Sequence, residues 1–159
     1  MPRRGPAPTR TIAPDPVYGH KLVAKLISRI MHDGKKSVAA ALVYRAFEAI
    51  QKETGEDSLK VFLSAIEQIK PTMEVRPRRV GGAAYQVPIP VRGPRRESLA
   101  IRWLILAAQK RSNKEFHTFA EKLAREILDA AQGQGGAIAK KKEIERVAEA
   151  NRAFAHFRW

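Results

Sequence analysis

From residue 19 to about 70, apolar side chains recur every three or four positions; from 71 to 91 they alternate instead. Leu22, Val23, Leu26, Ile27, Ile30 and Met31 share one face of a first helix, with Lys21, Lys25 and Arg29 set four apart on another. Asp33 and Gly34 stop it, glycine being suited to the position just past a helix end. A second helix over about 36–53 buries Val38, Leu42, Ala46, Phe47 and Ile50 before Gly55. Asp57 or Ser58 caps a third, carried by Leu59, Phe62, Leu63, Ile66 and Ile69 and ended by Pro71.

The alternating stretch predicts a β-ribbon over 72–91. Met73 and Val75 mark one strand, and Tyr85, Val87, Ile89 and Val91 the other. Gly81 and Gly82 between them supply the positive φ angles of a tight hairpin turn. Pro88 and Pro90, two apart, leave their missing N–H groups on one free edge, where no ladder bond is lost. A lone hairpin is marginal in water. This one carries Arg76, Arg78, Arg79, Arg92, Arg95 and Arg96 against a single acid, Glu74, and so reads as an arm held against a polyanion.

Helical spacing then returns. Residues 97–111 are apolar nearly all round, apart from Arg102, Lys110 and Arg111, and predict a helix in the middle of the fold. Phe116, Phe119, Leu123, Ile127 and Leu128 give a fifth helix closed by Gly133. Residues 133–136 read as a flexible link to a last helix from about Ile138, bearing Lys140, Lys141 and Lys142. No internal repeat is present. The expectation is a mainly α protein: one six-helix, bundle-like domain over 1–159 with a projecting two-stranded ribbon. Residues 1–17, with five prolines and Arg3, Arg4 and Arg10, add an extended basic arm.

Charge adds a partner. Thirty Lys and Arg against sixteen Asp and Glu leave a formal +14, a field that favours nucleic acid or an anionic surface. No apolar run approaches the ~20 residues of a membrane span, so no membrane role is expected. The absence of cysteine excludes disulfides and thiolate metal sites.

Catalytic motifs do not assemble. Gly34, Lys35, Lys36 and Ser37 faintly suggest a phosphate loop, but Arg29 stands where its leading glycine belongs and a helix precedes it. His20, His32, His117 and His156 make no i, i+4 pair, and the acids are dispersed. No enzyme, metal or cofactor is expected. The cations are instead segregated into the arm, Lys35 and Lys36, the ribbon, Arg102 with Lys110 and Arg111, Lys140 to Lys142, and the tail residues Arg152 and Arg158. Arginine's planar fork suits phosphate and stacking. Tyr85, Phe157 and Trp159 offer faces for bases, although Tyr85 serves equally as a brace for the ribbon.

Three blocks resemble the bacterial type of the small-subunit ribosomal protein seven family: LISRIMHDGKKS at 26–37, RRVGGAAYQVP at 78–88 and AEANRAFAHFRW at 148–159. With Arg95, Arg96, Arg102 and Trp103 they span nearly the whole chain in the family's order. The resemblance implies early binding to the 3′ major domain of small-subunit rRNA and nucleation of the head. It implies a cytoplasmic, ribosomal location beside exit-site tRNA, the mRNA exit path and neighbouring head and platform proteins. It places the arm, Lys35, Lys36, the ribbon arginines and Lys140 to Lys142 on rRNA. Gly81, Gly82 and Ala83 at the ribbon tip, with Tyr85 and the C-terminal Arg152, Phe157 and Arg158, come nearest tRNA. Pro77 and Pro90 depart from the family pattern.

Two other classes stay open. A DNA architectural protein also uses proline-bearing β-arms, but usually as a dimer. An RNA-processing enzyme needs a cluster of acids that this chain lacks.

Overall fold

The stripe of Leu22, Val23, Leu26, Ile27 and Ile30 is buried along α1, Lys21–Ile30. The computed structural model describes Gly5 and residues 11–157, so Arg3, Arg4, Arg10 and Arg158 of the expected binding set lie outside the described residues. α1 ends before Asp33 and Gly34, because the backbone of Met31 turns extended while its N–H still reaches the Ile27 carbonyl. Asp33 and Gly34 form the following turn instead, both with positive φ.

In α2, Lys36–Thr54, the buried positions are Ala39, Val43, Ala46, Phe47 and Ile50. Val38 is 56% exposed, against expectation, and Leu42 is only half-buried. Each sits one residue before a buried position, about 100° round the helix. Asp57 caps α3, Ser58–Ile69, by accepting the Leu59 N–H at 3.0 Å.

Two antiparallel strands follow, β1 (Met73–Val80) and β2 (Ala83–Pro90), in the register Val80 opposite Ala83 through Met73 opposite Pro90. Gly81 and Gly82 turn the chain with φ of 58° and 88°. The pair closing such a two-residue turn is hydrogen-bonded, and alternate pairs are not. Pro77, Pro88 and Pro90 all fall in the non-bonded class, so none interrupts the ladder.

α4, Pro94–Lys110, packs against α1, α3, α6 (Gly136–Ala150) and α5 (Phe119–Ala131). It is central, as expected, yet one side of it shows Arg102, Leu106, Gln109 and Lys110 to solvent. Phe116 lies in the loop ahead of α5, because Thr118 and Glu121 form a capping box that starts the helix at Phe119. A 3-10 helix, Arg152–Phe157, closes the described chain. Buried side chains of all six α-helices form one contiguous cluster in which Phe47, Phe62, Ile66, Leu104, Leu123 and Ile127 are fully enclosed. Truncating such a residue to alanine costs about 3–5 kcal/mol.

The segment read as an extended arm, residues 1–17, is tied down near its end. Asp15 is buried; it accepts the Val17 and Tyr18 N–H groups and the Tyr44 hydroxyl, the last at 2.8 Å. Tyr18 follows it into an edge-to-face contact with Phe47. Burial, then the Asp15 carboxylate, push the Tyr44 phenol up to about 12. A raised phenol pKa favours the neutral, folded form. Its contribution is therefore complete below pH ~10, the unfolded phenol's value, and is lost as pH climbs from there towards 12. Tyr44→Phe is expected to cost about 1 kcal/mol at pH 7 and to lose less further stability between pH 10 and 12 than the native protein. Denaturant titrations at pH 7, 10 and 12 check this.

Candidate nucleic-acid interface

Charged side chains divide into those committed inside the fold and those presented outside it. Arg111, expected among the binding cations, is committed inside. Its guanidinium meets Glu126 Oε2 through Nη2 at 2.6 Å and through Nε at 2.8 Å, and also holds Asp129. Burial disfavours its charge, but the bonds to Asp129 and Glu126 outweigh this and raise its pKa. Phe116 lies under the same guanidinium, 5.9 Å from ring centre to Cζ.

Glu126 is only 1% exposed, and its other oxygen accepts the Ala137 N–H at 2.9 Å. That bond satisfies one of the four orphan donors at the start of α6, whose own N-cap, Gly135, has no side chain to offer. A Cβ on Gly135 would stand 2.9 Å from Glu126 Oε1 and 3.2 Å from Asp129 Cβ, at a φ of 92°. The link expected to be flexible is thus a close-packed joint. Lys122, also buried, donates to the Arg111 carbonyl at 2.7 Å and to Asn113. Sequence reasoning missed this network. Its signal was the i, i+4, i+7 spacing of Lys122, Glu126 and Asp129, which run one residue ahead of Leu123, Ile127 and Ala130 along the edge of the apolar stripe of α5.

At the base of the ribbon Glu74 plays a similar part. It is buried, and accepts Arg76 Nε at 2.6 Å and Arg95 Nε at 2.8 Å. Arg96 donates through Nε to the Pro71 carbonyl at 3.1 Å. Arg79 and Arg92 are exposed, and Arg78 is half-buried opposite Tyr85 in the ladder. Gly81, Gly82 and Ala83 are exposed at the tip.

The ribbon is braced against α6 and the 3-10 helix. Thr72 donates its N–H and hydroxyl to Glu145 at 3.0 and 2.9 Å. Tyr85 meets Phe154 at 5.0 Å and Phe157 at 5.4 Å between ring centres. Of the two roles open to Tyr85, the brace is the one its contacts serve. Arg152 is exposed at the start of the 3-10 helix.

Elsewhere the cations face out. Residues 32–38 are exposed throughout, bringing Lys35 and Lys36 to the start of α2. Arg102 and Lys110 stand on the open side of α4, and Lys110 shares a groove with Trp103, Leu106 and Lys140 between α4 and α6. Lys140 pairs with Glu143 at 2.8 Å and holds that carboxyl below the usual range. Lys141 donates to the Gln68 carbonyl at 2.8 Å, and Lys142 is exposed. Among the described residues no group of His, Cys, Asp or Glu is placed to hold a metal ion, and no helix is long and apolar enough to cross a membrane.

Residues 2–152 match the family described as Ribosomal protein S7p/S5e. The chain is similar to the "Small ribosomal subunit protein uS7" of Carboxydothermus hydrogenoformans, 57% identical over 159 residues and the full length of both. It is 58% identical to the protein of that name from Thermodesulfovibrio yellowstonii and 52% to that from Streptococcus sanguinis, again over the full length of each.

Removing one partner of a buried charged network leaves the other unpaired, at a cost of about 3–5 kcal/mol. Glu126→Ala is expected to lose that much in denaturant unfolding. Lys142→Ala, on an exposed face, should stay within about 0.5 kcal/mol of the native protein. Equal effects from the two would contradict the division between internal and presented charges.

Proposed function

The chain belongs to the ribosomal protein S7p/S5e family, and from that premise we propose that its presented cations hold the 3′ major domain of small-subunit rRNA and nucleate assembly of the head. Family membership makes it a structural ribosomal protein and not an enzyme. Within the particle it acts as one unit, beside exit-site tRNA, the mRNA exit path and neighbouring head and platform proteins.

One observation carries this reading. Among the described residues three carboxylates, Asp15, Glu74 and Glu126, are buried against one cation, Lys122, so the surface is more positive than the formal +14 suggests. The outward cations expected to bind fall in separate places: the turn and helix start at 32–38, the ribbon, the open side of α4 and the first half of α6. Such an array suits a folded RNA that passes several of its elements at once. A-form RNA hides its base edges in a deep, narrow major groove, so shape and phosphate position are what these side chains recognise. Neutralised phosphates release counterions, and affinity falls steeply with salt.

At the tip, Gly81, Gly82 and Ala83 carry little or no side chain, which suits close approach to a tRNA backbone. Tyr85 and Phe157 serve that approach by holding the ribbon's direction, and Arg152 and Arg158 are the tail cations expected to reach the tRNA.

A salt titration of binding to a transcript of the 3′ major domain, beside a DNA duplex of equal length, tests the proposal. Log affinity should fall linearly with log salt, and the duplex should bind at least ~10³-fold more weakly, a gap typical of specific over non-specific sites. Equal affinity for the two would reduce the protein to a basic body with an arm and favour the architectural DNA reading.

A further inference from the structure

Glu74 is the single acid within a stretch, 71–96, that carries six arginines. By charge alone it opposes binding to a polyanion. Its surroundings point the other way. The carboxylate side chain is 9% exposed, while those of its partners Arg76 and Arg95 are 46% and 52% exposed. The acid therefore lies behind the two guanidiniums, and not between them and solvent.

The geometry also joins two elements. Arg76 belongs to β1 and meets Glu74 Oε1 through Nε and Nη2, both at 2.6 Å. Arg95 belongs to the first turn of α4 and uses Nε, at 2.9 Å from Oε1 and 2.8 Å from Oε2, so its terminal nitrogens extend past the pair. The same corner is stitched by Val91 N–H to the Thr72 carbonyl at 3.0 Å and by Arg96 to Pro71. Side chains from a strand and a helix are thus set at one separation by a carboxylate held in the wall behind them. A long arginine side chain that is already ordered loses less conformational entropy on binding than a free one.

Building on the RNA-binding reading above, we propose that Glu74 is a positioning residue: it sets Arg76 and Arg95 as a pre-formed pair for RNA phosphates, so that removing this acid weakens binding to a polyanion. Simple electrostatics predicts the opposite sign. Glu74→Gln makes the protein more positive by one charge, which by counterion release alone should tighten binding.

The experiment measures affinity for the 3′ major domain transcript at one fixed salt concentration. The proteins are the native chain, Glu74→Gln, Arg76→Ala with Arg95→Ala, and the triple variant. Glu74→Gln is expected to bind roughly tenfold more weakly, near the weight of one hydrogen bond to a charged group. In the background lacking both arginines the same change should cause no loss, and at most the slight tightening its charge predicts. Glu74→Asp, which keeps the charge on a shorter stem, should fall between the native protein and Glu74→Gln, and remains informative should the glutamine variant fail to fold. Affinity at or above the native value for either Glu74 variant overturns the proposal. So does an equal loss in the background without the arginines, because Glu74 would then support only the ribbon's fold. Both of those results leave the ribosomal reading intact. A native protein that does not prefer the transcript over duplex DNA overturns that reading, and this proposal with it.

Discussion

A buried carboxylate, Glu126, fixes where α6 starts, and the placement of much of the outer surface follows from that. With one oxygen on the Arg111 guanidinium and the other on the Ala137 N–H, it joins the end of α4, the middle of α5 and the first turn of α6. A buried ion pair is weak grounds for stability, since desolvation offsets most of the attraction. What it supplies is position. Gly135 can lie against Glu126 only because it has no side chain, and α6 leaves that joint in one direction. Lys140 to Lys142 then face outward or onto the end of α3, while Glu145 reaches back to Thr72 at the ribbon's root. Displace Glu126, and both the lysine face and the ribbon lose their reference.

The fold was largely legible in the sequence because its signals are local. A period near 3.6, the cap at Asp57, the Gly81–Gly82 turn and the alternation of 73–91 each depend on residues close in the chain. What was illegible depends on partners far apart. Asp15 looked like part of a proline-rich tail until Tyr44 came to meet it. Residues 133–136 looked flexible because glycine permits flexibility as readily as it permits close packing, and only Glu126 decides between them. Val38 was misplaced by a single position in a helix where alanines, not large side chains, carry part of the buried stripe.

The candidate cations are legible in the sequence as a set and less so residue by residue. Charge and segregation single out a set of cations, but Arg111, Arg76 and Arg95 look alike in a sequence and differ in the fold. Arg111 is held inside by two acids, whereas Arg76 and Arg95 are held from behind with their outer faces open. The aromatic tail shows the same limit. Tyr85 and Phe157 present stacking faces on paper, yet in the fold they meet each other, with Phe154 against Tyr85 and His156 against Phe157. In the proposed reading, internal carboxylates set the spacing of external cations that meet an RNA recognised by shape.

The chain has no cysteine, so one introduced by mutation is a unique attachment point for a chelated iron that cleaves nearby RNA. Single cysteines at Ser37, Gln86 and Ala139 would place that probe on the first turn of α2, the ribbon and α6, all at exposed positions. In reconstituted small subunits, the account predicts strand breaks from all three sites confined to the 3′ major domain of the rRNA, each at its own set of nucleotides. Breaks scattered across other domains, or none from any of the three, would contradict it.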